Sequence, residues 1–140
     1  MFSQTVEYAL RAMVQLAVDS SGQATTKDIA AKAKVPSAYL AKVLQSMRRG
    51  GLIHSRRGVG GGVTLAKPAG KITLLDIIDA VEPLKRTPSK KAPAAAQLQK
   101  SMDSAVDQLR ATFASESLAD MLPKGKTVKA AAKRPAAKKR

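Results

Sequence analysis

The sequence predicts a mainly α-helical protein with one small β-hairpin and a long C-terminal helix. Apolar side chains recur at helical spacing near the start of the chain, at Val6, Leu10, Met13 and Ala17. Two short strand-like segments, 52–55 and 62–66, flank a glycine-rich loop. A second helical stripe begins near residue 95. A chain of 140 residues is long enough for one modest domain plus a tail.

Three further helices are predicted from local start and stop signals. Thr25 offers a hydroxyl cap that starts a short second helix, and Pro36 ends it. We expect Ser37 to cap a third helix, 37–49, which a glycine pair stops. A fourth helix is predicted over 72–81, after a Pro-Ala-Gly-Lys turn.

The stretch 55–68, which contains the loop between the two predicted strands, combines two arginines with four glycines. A nucleotide cradle would need a lysine–hydroxyl pair leading into a helix, whereas a strand-like segment, 63–66, follows here. The loop is therefore interpreted as a hairpin tip that meets DNA, since glycines allow close approach and cations reach phosphates or a minor groove. The expected contacts are Arg56, Arg57, Gly60 and Gly61. Taken alone, an ordinary hairpin with two solvated arginines is an equal alternative.

A long amphipathic helix is predicted behind a proline- and lysine-rich segment, 83–94. It starts near residue 95, and Ser117 is expected to cap a short final turn. Its apolar stripe suits pairing with the same helix of a second copy through Leu98, Met102, Val106, Leu109 and Phe113. The alternative is a helix that packs on its own domain.

The balance of charge favours a polyanionic partner. The chain has 25 Lys+Arg and 10 Asp+Glu, a net charge of +15. Residues 123–140 hold eight cations and no acidic residue, and we expect them to be disordered. Such a tail raises non-specific affinity for DNA, and the alternative is a solvated tail without a partner. Residues 1–83 carry a net charge of only +5. Charge alone is therefore weak evidence that the folded part binds nucleic acid, and that evidence must come from its motifs.

Composition excludes several kinds of site. The chain has no cysteine, which removes disulfides, thiolate metal sites and a cysteine nucleophile. The single histidine, His54, is interpreted as a structural or solvent-facing residue rather than a ligand. An enzyme would need a nucleophile–base pair or a metal site, and the sequence offers neither. No signal peptide and no membrane-spanning run is recognised, so we expect a soluble cytoplasmic protein without membrane contact.

Two short helices with a tight turn, followed by a two-stranded ribbon, predict a winged helix-turn-helix. The major groove of B-DNA admits one helix, and the first helix of the pair braces the second against the backbone. The start of the third helix would face base edges and phosphates through Ser37, Ala38, Tyr39, Ala41 and Lys42. The alternative is a surface helix of a small helical domain.

Several longer motifs carry a family resemblance. They are F-S-x-x-x-x-Y-A-L-R-A-M at 2–13, D-I-A at 28–30, V-P-x-x-Y-L-x-K-V-L at 35–44, R-G-x-x-G-G-x-x-L-A-K-P at 57–68, I-T-L-x-D-I-I-x-A-V-E at 72–82 and S-L-A-D-M-L at 117–122. On these motifs the chain resembles the Rrf-two family of bacterial transcription regulators, which includes the iron–sulfur cluster regulator and the nitric-oxide-sensitive repressor. The resemblance implies a homodimer that binds double-stranded DNA at a roughly palindromic site. It places the family's DNA contacts on the third-helix and loop residues named above.

The chain departs from that family at three places. Some relatives have Glu-Gln where this chain has Ala41-Lys42, so a different target sequence is expected. Val63 stands at a wing position often held by an aromatic residue. Members with an iron–sulfur cluster hold it by cysteines in the loop before the long helix, which this chain lacks, and Glu7 near one ligand position is interpreted as a surface charge. We therefore expect no cofactor and leave any small-molecule effector unidentified.

The sequence thus predicts four segments and a function. The segments are a winged helix-turn-helix domain (1–82), a basic proline-rich loop (83–94), a dimerisation helix with a final turn (95–122) and a disordered basic tail (123–140). The predicted function is a sequence-specific transcription regulator, a repressor, that acts in the bacterial nucleoid. The alternative is a nucleoid-associated protein that coats DNA without sequence preference through its fold and tail.

Overall fold

The structure, a computed structural model, describes residues 2–19, 23–58, 61–85 and 93–123. Within these ranges the regular elements are α1 (Gln4–Val18), α2 (Thr26–Ala33), α3 (Ser37–Arg49), β1 (Ile53–Arg56), β2 (Gly62–Leu65), α4 (Leu74–Val81) and α5 (Ala96–Ala114). Single 3₁₀ turns lie at Ala69–Lys71, Pro93–Ala95 and Ala119–Met121. The predicted class, mainly helical with one antiparallel hairpin, is confirmed. Most of the predicted linker and tail, 86–92 and 124–140, lies outside the described residues.

Helix α1 begins at a side-chain cap and buries one face. The Ser3 hydroxyl accepts a hydrogen bond from the Val6 backbone N–H at 3.2 Å, which satisfies one of the free donors of the first turn. The same hydroxyl donates to the Glu82 carboxylate at 2.7 Å and so ties the start of α1 to the end of α4. The buried face follows the helical period, with Val6, Ala9, Ala12, Met13 and Leu16.

Helices α2 and α3 form the predicted helix-turn-helix. The Thr25 hydroxyl accepts from the Asp28 backbone N–H at 3.0 Å and caps α2, as expected. Lys34 adopts a left-handed conformation (φ 58°) that ends α2, and the chain then turns through Val35 into α3. The range of α3 agrees with the prediction, but the expected cap does not. The N-cap position is Pro36 without a side-chain cap, and Ser37 is the first helical residue.

The hairpin lies directly behind α3. Antiparallel pairing joins Ile53 to Leu65 and Arg56 to Gly62. β1 is shifted by one residue from the predicted 52–55, and β2 starts where predicted but ends one residue before the predicted 62–66. A further bridge joins Ala24, in the segment before α2, to Val63 through reciprocal hydrogen bonds of 3.1 and 2.7 Å. This bridge anchors β2, near the loop of the hairpin, to the helix-turn-helix.

Helix α4 has a complete capping box. The Thr73 hydroxyl accepts from the Asp76 backbone N–H, and the Asp76 carboxylate accepts from the Thr73 backbone N–H, both at 3.0 Å. The helix starts at Leu74, two residues later than predicted. The cause is tertiary: the Ile72 carbonyl accepts from the Leu118 backbone N–H at 2.9 Å, and Thr73 bridges to Ser117.

Replacement of Thr73 by Ala is expected to destabilise the fold by about 1 kcal/mol, because an N-terminal donor of α4 loses its partner. Thermal denaturation should show a Tm several degrees lower than that of the unmodified protein. Thr73→Ser keeps the hydroxyl and should restore the Tm. An unchanged Tm in Thr73→Ala would show that water replaces the cap at no cost.

Helix α5 is attached to the domain mainly through its second half. Arg110 donates to both carboxylate oxygens of Asp79 at 2.9 and 3.1 Å and to the Leu84 carbonyl at 2.9 Å. The hydrogen bonds with Asp79 raise the pKa of Arg110 above its ordinary value, so the guanidinium stays charged. The Phe113 ring meets the Phe2 ring edge-on, with centroids 5.6 Å apart. These contacts fix the direction in which α5 leaves the domain.

Helices α1, α2, α3 and α4 and the hairpin share a single apolar core. Its largest fully buried side chains are Met13, Leu16, Ile29, Leu40, Val43, Met47, Ile53, Ile72, Ile77, Ile78 and Leu118. Leu118, beyond α5, returns the end of the described chain to this core. In contrast, α5 contains no buried residue. In the described part of the chain, no helix combines the length and apolar character that crossing a membrane requires.

Candidate nucleic-acid interface

Helix α3 presents an exposed face along its first three turns. Its buried residues are Leu40, Val43, Leu44 and Met47, which recur at helical spacing and pack into the core. The residues between them are exposed, namely Ser37, Ala38, Ala41, Lys42 and Gln45. The core therefore holds α3 by one side and leaves the other side and the leading end open to a partner.

The leading end of α3 is suited to a phosphate. Pro36 occupies the N-cap position, and its ring offers no acceptor to the N–H groups of the first turn. Pro36 and Ser37 are both exposed. Free N–H groups and the helix dipole together favour an anion at this position.

Tyr39 is the predicted contact residue whose ring is turned toward its own domain. The ring meets Tyr8 of α1 edge-on, with centroids 4.9 Å apart. The Tyr39 hydroxyl lies 3.1 Å from the Thr5 hydroxyl oxygen, and the side chain is half-buried. Arg11 in turn lies over the Tyr8 ring, 5.1 Å from its centroid. Tyr39 thus fixes the angle of α3 on α1.

The hairpin carries two exposed arginines at its tip. Arg56 ends β1 and Arg57 follows it, and both side chains are exposed. Close backbone approach shapes this tip: a Cβ added at Gly61 would overlap the Arg56 carbonyl oxygen. The Gln23 side-chain amide donates to the Gly61 carbonyl at 2.7 Å and holds the loop from the α2 side. The fourth predicted loop residue, Gly60, lies outside the described residues.

The helix-turn-helix and hairpin share one sign of charge. Residues 29–75 contain nine Lys+Arg and no Asp or Glu. All nine side chains are exposed: Lys32, Lys34, Lys42, Arg48, Arg49, Arg56, Arg57, Lys67 and Lys71. The acidic residues of the domain lie before and after this stretch. The modest net charge of the folded part therefore conceals a segment that is wholly basic, which favours a polyanion as its partner.

The predicted stripe on α5 divides into two faces. Val106 and Phe113 are half-buried and lie on the side that faces the domain, together with Arg110. Leu98, Met102 and Leu109 are 62%, 48% and 39% exposed, and Ala105 between them is also exposed. Their spacing of four and seven residues places them on one face of the helix. We call Leu98, Met102, Ala105 and Leu109 the apolar face of α5.

Three residues that support the interface were missed in the sequence. Gln23 and Ala24 hold the hairpin, but a bridge of one residue pair leaves no periodic pattern. Tyr8 braces Tyr39, and its spacing on α1 predicts only a surface side chain. The one available signal was the tyrosine pair itself, since buried aromatic rings are commonly found edge to edge.

Comparison with known proteins gives a family match over nearly the whole described chain. The family model Rrf2, described as an iron-dependent transcriptional regulator, matches residues 2–124. A protein of Aquifex aeolicus is 41% identical over 78 residues, which are 56% of this chain and 54% of that protein. The HTH-type transcriptional regulator IscR of Cronobacter sakazakii is 38% identical over 76 residues, 54% of this chain and 47% of its own. The chain thus matches about half the length of these curated relatives.

Solved structures agree over more of the chain. CymR, the global cysteine regulator of B. subtilis, superposes with a TM-score of 0.72 and 28% identity over 86% of this chain and 95% of its own. IscR of T. potens gives a TM-score of 0.70 and 27% identity over 86% and 85%. The open face of α3, the basic hairpin behind it and this family match lead to one conclusion: the chain belongs to the Rrf2 family of transcriptional regulators, with a winged helix-turn-helix DNA-binding fold.

Proposed function

We propose that the protein is a sequence-specific transcription regulator, a repressor, that binds a roughly palindromic operator as a homodimer and without an iron–sulfur cluster. The observation that carries the proposal is the exposed face of α3 at the centre of a basic segment free of acidic residues. A helix with one side in the core and one side open has the shape that the major groove accepts. Bound at a promoter, the dimer would deny that DNA to other proteins.

Each element has a distinct part in this proposal. Ala38, Ala41 and Lys42 lie on the open face and would meet base edges, with Lys42 donating to guanine. The N–H groups at Ser37 would hold a phosphate and set the register. Arg56 and Arg57 would contact the backbone or minor groove beside the operator. Tyr39 positions α3 and makes no base contact in this scheme.

The homodimer is proposed from the apolar face of α5. Leu98 and Met102, the most exposed large apolar residues of the described chain, lie side by side there, which is typical of surfaces that bind another protein. Pairing with the same face of a second copy would cover both sets at once. Two copies of α3 would then lie about one DNA turn apart, so the operator should have two related half-sites.

The residues of this chain do not fit an iron–sulfur cluster. Such clusters are held by cysteine thiolates, and the chain has no cysteine. Within the described ranges, no three His, Asp or Glu side chains lie close enough together to hold a metal ion. The proposed regulator therefore does not sense iron through a cluster of that kind.

Selection of bound fragments from the source genome, followed by footprinting, tests the proposal. We expect discrete protection of a site with two related halves. Uniform protection along every fragment would instead identify a protein that coats DNA without sequence preference, and it would overturn the proposal.

Lys42→Ala is expected to weaken binding to a selected site by roughly 1–3 kcal/mol, because a good base contact discriminates by that amount. Binding to random DNA should change much less, as measured by fluorescence anisotropy on both duplexes. Lys100→Ala removes the same charge from an exposed position on α5 and serves as the control. Equal losses on both duplexes would reduce Lys42 to a phosphate contact.

Removal of 123–140 is expected to weaken non-specific binding and to flatten its salt dependence. The segment holds eight cations, and each phosphate neutralised contributes about 0.9 to the slope of log K against log salt. Preference for the selected site over random DNA should persist. Loss of that preference would assign part of the recognition to the tail.

A further inference from the structure

We propose that a groove between α1 and α2 is an effector site for a small carboxylic acid with an apolar chain, and that its occupation weakens DNA binding. This inference rests on the proposed function, because it adds a signal to the regulator. The groove is open to solvent and has a volume of about 340 Å³, within the range of pockets that bind small molecules. We call it the α1–α2 groove, and its lining residues are Leu10, Arg11, Val14, Gln15, Lys32 and Ala33.

The α1–α2 groove has an apolar floor and a cationic rim. Leu10 and Val14 lie one turn apart on α1, are half-buried and pack against the core. Ala33 contributes a buried methyl group from α2. Arg11 of α1 and Lys32 of α2 are both exposed. A ligand that matches this lining has an apolar body and an anionic head group.

Charge complementarity favours a carboxylate as the head group. Among the described residues, no Asp or Glu lines the groove, and neither Arg11 nor Lys32 forms a salt bridge there. A guanidinium donates parallel hydrogen bonds to a carboxylate, and an ammonium group adds a further donor from the other helix. The same charge excludes the segment 123–140 of this chain as an occupant, since that segment has eight cations and no acidic residue.

The rim of the groove is connected to the recognition helix by two aromatic rings. The Arg11 guanidinium lies 5.1 Å from the centroid of the Tyr8 ring. The Tyr8 ring meets the Tyr39 ring of α3 edge-on, with centroids 4.9 Å apart. A carboxylate that draws Arg11 toward the groove takes the cation away from Tyr8. Occupation of the groove therefore alters the ring pair that fixes the angle of α3 on α1.

The second helix of the groove leads directly into α3. Lys32 lies two residues before Lys34, whose left-handed conformation ends α2. A ligand held between Arg11 and Lys32 thus contacts both helices that position α3. It also neutralises one positive charge within the basic segment 29–75. Both effects weaken DNA binding, and by linkage the operator must lower affinity for the acid by the same factor.

Calorimetry on the full-length protein without DNA tests the site. The probes are octanoate, octylammonium, which has the same chain with the opposite charge, and acetate, which has the charge without the chain. We expect the Kd of octanoate to be lower than either of the others by about tenfold or more, because only octanoate matches both the floor and the rim. No measurable binding of octanoate, or an equal affinity for either other probe, would overturn the proposal.

A pair of variants on α2 locates the bound acid. Lys32→Gln removes the cation that α2 contributes and should weaken octanoate binding by about two- to fivefold, the range of an exposed charge contact. Lys27→Gln makes the same change at an exposed position of α2 outside the groove and should keep the affinity for octanoate. Octanoate that binds Lys32→Gln as tightly as the unmodified protein would overturn the assignment of the groove.

Operator binding tests the coupling to α3. Saturating octanoate should lower the affinity for the selected operator by about fivefold, at the low end of common allosteric couplings, whereas acetate at the same ionic strength should not. Octanoate that binds the protein and leaves operator affinity unchanged would overturn the regulatory part of this inference. A protein that binds octanoate as expected but prefers no DNA site would overturn the proposed function and leave the α1–α2 groove as a ligand site.

Discussion

Leu109→Glu is expected to convert the dimer to a monomer and to lower affinity for the selected operator by about 100-fold or more. Leu109 lies in the second half of α5, the part that Arg110 and Phe113 attach to the domain. In the part of the chain that the structure describes, the apolar face around it is left open to solvent, since Leu109 is 39% exposed and Met102 48% exposed. A carboxylate placed there would be desolvated against the apolar face of the second copy. A monomer contacts only one half-site, so it loses the gain in affinity that two linked DNA contacts provide.

Sedimentation and operator binding measure the two consequences of Leu109→Glu separately. Gln108→Glu introduces the same charge at the neighbouring exposed position and is the matched control. It should remain dimeric and bind normally. A dimeric Leu109→Glu protein with full affinity would show that the apolar face of α5 does not join two copies.

Gly61→Ala is expected to disrupt the hairpin. The added Cβ would overlap the Arg56 carbonyl oxygen and lie 2.9 Å from the carbonyl carbons of Arg56 and Arg57. These are backbone atoms, so the loop must open, and the bonds from Gly61 to Gly58 and Gln23 are strained or lost. We expect a destabilisation of about 1–3 kcal/mol, the usual cost of an overpacked site. Affinity for DNA should fall by about tenfold because the arginine contacts move with the loop.

The control for Gly61→Ala is a second glycine with room for a methyl group. A Cβ at Gly70 would lie 4.0 Å from the Ala119 Cβ, which is ordinary contact. Gly70→Ala should therefore keep both the Tm and the DNA affinity. Thermal denaturation and fluorescence anisotropy compare the two variants. Equal Tm and equal DNA affinity in Gly61→Ala and Gly70→Ala would mean that the hairpin loop relaxes freely and does not depend on the close approach of Gly61 to Arg56.

Local signals in the sequence predicted the helices well. The bounds of α3 agree with the prediction because a proline before it and a glycine pair after it act within a few residues. The start of α4 was predicted two residues early, because pairing of Ile72 and Thr73 with the segment beyond α5 competes with helix formation. Ser37 was wrong as a cap for a local reason, since Pro36 takes the N-cap position and leaves Ser37 as the first helical residue. For α4, the local pattern predicts the helix, and distant contacts set its first residue.

The sequence predicted which residues belong to the candidate site, but not which surfaces those residues contact. Periodicity identifies Tyr39 and Phe113 as apolar members of their helices, but it does not say whether the same chain or a partner covers them. In the structure, the Tyr39 ring packs against the Tyr8 ring, and the Phe113 ring packs against the Phe2 ring. It leaves Leu98 and Met102 exposed, which narrows the proposed pairing surface to the apolar face of α5. The DNA contacts of α3 and the hairpin stay predictions.

Crosslinking from α3 tests entry of this helix into the major groove most directly. A photoreactive amino acid replaces Ala41, which is exposed on the open face, and another replaces the exposed Gln108 on α5 as the control. With the selected operator, we expect position 41 to crosslink to bases within each half-site and position 108 to give no crosslink. Operator binding with full affinity but without a base crosslink from position 41 would contradict recognition by α3.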